Sequence, residues 1–271
     1  MANRFKVGDI DVLVVSDGTV TFPAPAYFAG TTAEQWAVHD RWLGHDGTLT
    51  FPYTCFVVES GGRRVLIDTG VGDVEIGPFK GGTLLADLAE NGVHPEDIDA
   101  VFLTHSHLDH VGTAALCGSG AATPSFPRAT YHLTSTEMEH WSKQAVHEIA
   151  RHDVREAIAS RFEAKDGGAS IADGVTVVAL PGHTPGHAGV VLSSGDQRAF
   201  ILGDAISCPA QLTEPEWSGA GDLDPKLARR TQEALLREID GTSALIGAAH
   251  FPGLTFGRVM NGEGRRYWSP V

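Results

Sequence analysis

The feature that most constrains this chain is the stretch Leu103-Thr104-His105-Ser106-His107-Leu108-Asp109-His110-Val111-Gly112, which continues the apolar run Ala100-Val101-Phe102. Four strong metal-ligand side chains, His105, His107, Asp109 and His110, fall within six positions. An apolar strand ending in such a cluster delivers imidazoles and a carboxylate from a rigid edge into one small volume. His105 and His107 converge if the chain leaves the strand extended or in a tight turn. Asp109 and His110 follow where Gly112 lets the backbone bend closely. Neutral imidazole together with carboxylate suits zinc or another first-row metal.

The rest of the chain reads as strands and helices that present further such residues. Residues 10–15 form an apolar strand, a turn is expected at Ser16-Asp17-Gly18, and a second strand covers 19–22. Residues 23–50 break the rhythm with Pro23, Pro25, Gly30, Gly44 and Gly47, yet carry Tyr27, Phe28, Trp36 and Trp42. Such a stretch is a flap over a pocket, a contact with another subunit, or a loop packed on its own aromatics. Strands at 54–59 and 64–68 make a hairpin across Ser60-Gly61-Gly62. A helix over 83–91, capped by Thr83 and stopped by Asn91-Gly92, precedes the strand that carries the cluster. Residues 134–164 predict a long helix opened by the capping box Thr134-Ser135-Thr136-Glu137, with His140, His147 and His152 on its solvated positions.

Three later strands also end in candidate ligands. The strand over 175–180 leads into Pro181-Gly182-His183-Thr184-Pro185-Gly186-His187, that over 199–202 into Gly203-Asp204, and that over 244–249 into His250. A helix with Asp224 as N-cap and Pro225 at its first position lies between the last two. The halves echo one another: Arg64-Val65-Leu66-Ile67-Asp68 resembles Arg198-Ala199-Phe200-Ile201-Leu202-Gly203-Asp204, and His107-x-x-His110-x-Gly112 parallels His183-x-x-x-His187-x-Gly189. The expectation is one domain over 1–271, with two strand-rich halves facing each other.

Bulk properties narrow the partners. At 42% hydrophobic and 20% charged residues there is ample material for a core. The net charge of -14 argues against a nucleic-acid backbone and against an anionic membrane surface, and fits a small neutral substrate. Cys55, Cys117 and Cys208 are far apart and form no CxxC pair, so neither disulfides nor a thiolate metal site is expected. Cys208 is read as a small buried hydrophobe or as a residue near the site. The first eight residues contain no apolar signal segment, and no run reaches the ~18 apolar residues of a membrane span, so a cytoplasmic location is the expectation. A homodimer through the aromatic segment 27–42 is one use of that segment.

With these residues in place, the chain resembles the metallo-β-lactamase superfamily: the HxHxDH cluster at 105–110, then His183, Asp204 and His250, each at a strand end and in the superfamily's order, with Leu66-Ile67-Asp68-Thr69-Gly70 upstream. The resemblance implies a four-layered αββα sandwich and two divalent metal ions, zinc first among them. It implies that His105, His107 and His183 hold one ion, that Asp109, His110 and His250 hold the other, and that Asp204 bridges them, with a bridging hydroxide as nucleophile. Asp109 is the candidate for handling the nucleophile's proton. Asp68 is expected either to orient a ligand imidazole or a loop amide, or to form a structural Asx-turn.

Segments 202–205, 209–212, 215–218, 222–225 and 250–254, with Thr231, are similar to the branch of N-acyl-homoserine lactone lactonases and methyl parathion hydrolase. One departure matters: several such lactonases place a tyrosine shortly after the bridging aspartate, whereas here Asp204 is followed by Ala205-Ile206-Ser207-Cys208. The leading expectation is a hydrolase of lactones or related esters. Phosphotriester hydrolysis is next, then β-lactamase or thioesterase activity, the last drawing on Arg258, Arg265 and Arg266. A non-enzymatic alternative is an iron-binding electron-transfer module.

Overall fold

The computed structural model describes residues 3–117, 121–146 and 148–271, so His147 lies outside the described residues. Six strands form a first sheet in chain order: β1 (Asn3–Val7), β2 (Ile10–Pro23), β3 (Thr48–Ser60), β4 (Arg63–Ile67), β5 (Ala100–Phe102) and β6 (Thr130–His132). Seven more form a second: β7 (Ser170–Ala172), β8 (Val175–Ala179), β9 (Ala188–Ser194), β10 (Gln197–Ile201), β11 (Leu245–Gly247), β12 (Gly257–Gly262) and β13 (Arg265–Pro270). Pairing is antiparallel except at β4–β5, β5–β6 and β10–β11.

Alternation along the strands sets the layers, because successive side chains point to opposite faces. Val12, Val14, Phe56, Val58, Val65 and Ile67 of the first sheet pack against Val175, Val177, Val190, Ala199 and Ile201 of the second. Their sequence neighbours Leu13, Val15, Cys55, Val57 and Leu66 face the other way, onto helices α1 (Leu84–Glu90), α3 (Ser135–Lys143) and α4 (His152–Ile158). Phe200 and Ile246 of the second sheet likewise pack on Leu235, Leu236 and Ile239 of α5 (Pro225–Ile239). The α2 turn, Leu108–Val111, belongs to the metal-ligand cluster. The αββα sandwich implied by the resemblance is the fold observed. Among the described residues no helix is long and apolar enough to cross a membrane.

Four local expectations change. The expected turn at Ser16-Asp17-Gly18 is an irregularity within one continuous strand, where the register to β3 shifts between Ser16 and Thr19. Asp17 is fully buried there and accepts from the Gly72, Gly82 and Leu84 amides. It thereby caps α1 from 67 residues away, whereas the Thr83 side chain makes no cap and donates to the Ser16 carbonyl. The helix predicted over 134–164 is broken into α3 and α4, with Arg151 in the left-handed region (φ 44) before α4. Its capping box is half formed: Thr134 accepts from the Glu137 amide, but the Glu137 carboxylate points elsewhere. The Asp224 cap and Pro225 start of α5 are as the sequence predicts.

The segment 23–50 folds into short helical turns, Ala24–Tyr27 and Ala33–Trp36, followed by a 3-10 stretch. Phe28 and Trp36 are buried against Trp217, while Phe22 and Tyr27 reach the cavity described below. It is packed on its own aromatics and also walls a pocket.

Candidate metal centre and its cavity

Strand ends bring the candidate residues together. Leu103 leaves β5 and hydrogen-bonds the His132 carbonyl of β6, so the chain stays extended through His105 and His107 before α2 carries Asp109 and His110. Gly112 is required just beyond: a Cβ there would lie 1.7 Å from the Val71 carbonyl oxygen. β8 and β10 run in the same direction in the second sheet, and their ends supply His183 and Asp204; His250 follows β11.

All seven expected ligands meet at this edge. His105, His107 and His183 form one group whose donor atoms lie within 4.8 Å of one another, His105, His110 and Asp204 a second, and Asp109, His110 and His250 a third. Asp204 stands centrally, with its carboxylate oxygens 3.1 Å from His250 Nε2, 3.3 Å from His110 Nε2 and 3.4 Å from His183 Nε2. Asp109 Oδ2 is 3.5 Å from His250 Nε2, and His107 Nδ1 is 3.0 Å from His183 Nε2.

Four of the five imidazoles, those of His105, His110, His183 and His250, are oriented from behind. His110 Nδ1 donates to Asp68 (2.9 Å), His183 Nδ1 to Asp222 (2.9 Å) and His250 Nδ1 to the Pro52 carbonyl (2.9 Å). Thr104 donates its hydroxyl to Asp68, which leaves that oxygen free to accept from His105 Nδ1 at 3.1 Å. Fixing Nδ1–H in this way leaves Nε2 with its lone pair toward the centre, the tautomer a metal needs. Asp68 reaches three groups from a left-handed backbone (φ 59), a conformation that Asp tolerates better than most side chains. His187 is buried in the same loop, donating to the Leu180 carbonyl and accepting from the Asp204 amide, so both ring nitrogens are occupied.

The donor set fits two zinc ions. His105 Nε2, His110 Nε2 and Asp204 Oδ1 are buried with no hydrogen-bond partner, although buried polar atoms are almost always paired. Electrostatics divide the site. Burial and neighbouring imidazoles push His105 and His107 well below the ordinary histidine range. Burial opposes charge at His110 too, but the carboxylates of Asp204, Asp68 and Asp109 outweigh it and hold this imidazole up at about 10. His250 is raised by Asp204 against the same opposition from burial. One side is therefore made of imidazoles alone, and the other is rich in carboxylate.

Above this floor opens a cavity of about 580 Å³. Val20, Phe22, Phe51, Phe79, Leu108, Ala145, Ile149 and Leu223 give it apolar walls. Among the described residues no Lys or Arg lines it. Arg258, Arg265 and Arg266, expected to serve a thioester substrate, stand on β12 and β13 and are not among the lining residues; Arg266 is paired with Asp240. His140, read as solvated, is half-buried and lines the cavity beside Gln144, its hydrogen-bonding neighbour. Cys208 is a buried packing residue among Phe28 and Trp36, its thiol pushed up to about 12 by burial.

Three residues escaped the sequence reading. Asp222 falls in the similar segment 222–225 but has no role assigned by it, and lies 39 residues from the histidine it orients. Glu137 was hidden inside a plausible capping box. Tyr27 comes from the irregular aromatic segment: it lines the cavity, packs on Phe51 (4.6 Å between centroids), and hydrogen-bonds Ser207, three residues past Asp204. Burial, then the carboxylates of Asp204, Asp222 and Asp109, push its phenol well above the ordinary range, so it stays a neutral O–H.

Comparison with known proteins agrees with this geometry. Residues 49–250 match the family profile described as the metallo-beta-lactamase superfamily. An N-acyl homoserine lactonase of Bacillus thuringiensis is 24% identical over 213 residues, covering 70% of this chain and 79% of that protein. The hydrolase AbOPH, placed in the beta-lactamase superfamily, superposes with a TM-score of 0.85 at 26% identity over 100% of this chain and 97% of its own. AidC, described as a dizinc quorum-quenching lactonase in complex with a product, superposes with a TM-score of 0.88 at 23% identity, covering 100% and 97%.

Proposed function

The chain belongs to the metallo-beta-lactamase superfamily and is a metal-dependent hydrolase; from that footing we propose that it opens lactones or cleaves related uncharged carboxylic esters, with N-acyl-homoserine lactones the first class to test. The observation that carries this reading is the neutral, apolar cavity over the metal floor. A substrate with a carboxylate away from its scissile bond would leave that charge against apolar walls with no Lys or Arg among the described residues to meet it, an expensive arrangement. This disfavours β-lactams and glutathione thioesters. It suits an acyl chain attached to a lactone, and the homoserine lactonase relative supports that choice.

His105, His107 and His183 would hold one zinc ion, and Asp109, His110 and His250 the other, with Asp204 between them. Ions there polarise a carbonyl oxygen and lower the pKa of water to about 7. The chain's own groups do the rest. Asp109, whose side chain is 14% exposed at the cavity floor, takes the nucleophile's proton and passes it to the departing alkoxide. The Tyr27 hydroxyl donates to the substrate carbonyl from the opposite wall, in place of the tyrosine absent after Asp204. The apolar walls hold the acyl chain and exclude bulk water.

The test is turnover of homoserine lactones of graded acyl length, followed by proton release on ring opening. Rates that rise with acyl length until the cavity is filled are expected. No turnover at any length, together with efficient hydrolysis of aryl phosphotriesters, replaces the lactone reading with the organophosphate one, since such triesters are also uncharged.

A further inference from the structure

The Glu137 carboxylate is fully buried and belongs to neither ligand set. Its Oε1 accepts from the Ser106 amide (2.9 Å) and hydroxyl (2.7 Å), and its Oε2 from the Thr184 hydroxyl (2.6 Å) and the Gly186 amide (3.1 Å). All four partners are donors, the arrangement that suits a carboxylate. No salt bridge among the described residues reaches it. Ser106 sits between His105 and His107, and Thr184 follows His183. Gly186 approaches so closely that a Cβ would lie 2.2 Å from the Glu137 amide nitrogen. Thr134 adds a second tie at the same helix start, donating to the Gly186 carbonyl.

We propose that Glu137 is the positioning residue of the three-histidine metal position: it locks together the two loops that carry His105, His107 and His183, and supplies from behind negative charge that imidazole ligands do not bring. A buried carboxylate without a counter-cation is unfavourable unless a positive charge lies near, and a dication held by neutral ligands has the converse need. Asp204 stands between the two positions and serves both, but the second also has Asp109, and no hydrogen bond among the described residues ties Glu137 to Asp109, His110 or His250. The two ions therefore depend on this residue unequally. The inference rests on the metal-centre reading above, but not on which ester is cleaved.

The experiment is metal retention, ion by ion. Wild type, Glu137→Gln and Thr184→Val are loaded with zinc and dialysed against graded chelator, and retained metal per chain is measured. Parallel cobalt(II) loading identifies, from the visible spectrum, which donor set is occupied. Glu137→Gln keeps the shape but removes the charge and turns an N–H₂ toward donors; it is expected to weaken one ion by about 10–100-fold and leave the other at wild-type affinity. Thr184→Val retains the carboxylate and should loosen the same ion by a smaller factor. Equal weakening of both ions, or wild-type retention of both in Glu137→Gln, overturns the proposal. Should Glu137→Gln fail to fold, Thr184→Val and Ser106→Ala carry the test, and unchanged retention in both overturns it. A lactone screen without activity bears on the substrate and leaves this result standing.

Discussion

Single residues show how unevenly the site is written into the sequence. His105, His107, Asp109 and His110 are legible because a strand end forces them into one volume. Tyr27 is not: it lies 177 positions before Asp204 and reaches Ser207 only through the folding of the aromatic segment. Its hydroxyl is held neutral by surrounding carboxylates, which makes it a donor and a poor base. Tyr27→Phe should therefore lower kcat on a lactone by on the order of 10²-fold, as loss of an oxyanion donor does, with zinc content per chain unchanged. An unaltered kcat would remove Tyr27 from the reaction. For Asp68 the sequence admits both an orienting carboxylate and an Asx-turn; in the structure its carboxylate accepts from the Thr104 hydroxyl and from His110 Nδ1.

At the level of elements, local pattern succeeded where one interaction set dominates and failed where two compete. α5 has a proline start, an aspartate cap and one apolar face, and it forms as its sequence implies. Leu236 of that face is 2% exposed against the second sheet, so Leu236→Ala should destabilise the protein by about 2–5 kcal/mol, measured as a shift of the urea midpoint at constant slope. The Thr134–Glu137 pair satisfies the rules of a capping box, yet Glu137 serves Ser106, Thr184 and Gly186, because four donors outside the helix outweigh one backbone N–H within it. Asp17 and Thr83 exchange roles for a similar reason: three amides, two of them buried, need an acceptor, and the strand irregularity places Asp17 there.

For the molecule as a whole, the metal centre joins strand ends from both sheets, so metal binding and folding stability should be linked. Chelator-treated protein is expected to unfold at lower temperature and to recover with zinc; free zinc at 100 times its dissociation constant contributes about 2.7 kcal/mol per site. Equal midpoints in both states would detach the centre from the fold. Acid sensitivity has a separate source in His132, buried on β6 with Nδ1 donating to the Glu163 carbonyl. Burial lowers its pKa below the ordinary 6.5, so below about pH 6.5 the unfolded chain binds more protons than the folded one. Its share of stability is complete above that pH and is lost as pH falls toward the lowered folded value. His132→Gln should flatten the fall of thermal midpoint between pH 6.5 and 5 (about the range over which an ordinary histidine titrates), and a steeper fall would reverse the sign. The alternation of apolar residues determined the strands and the two faces of each sheet, and the histidine–aspartate spacing determined where metal chemistry could occur, since both are local consequences of backbone geometry. Only the tertiary structure decided which distant groups stand behind the ligands, which aromatics line the cavity, and that no Lys or Arg among the described residues lines it, because burial, hydrogen-bond competition and wall composition arise between segments that the sequence keeps far apart.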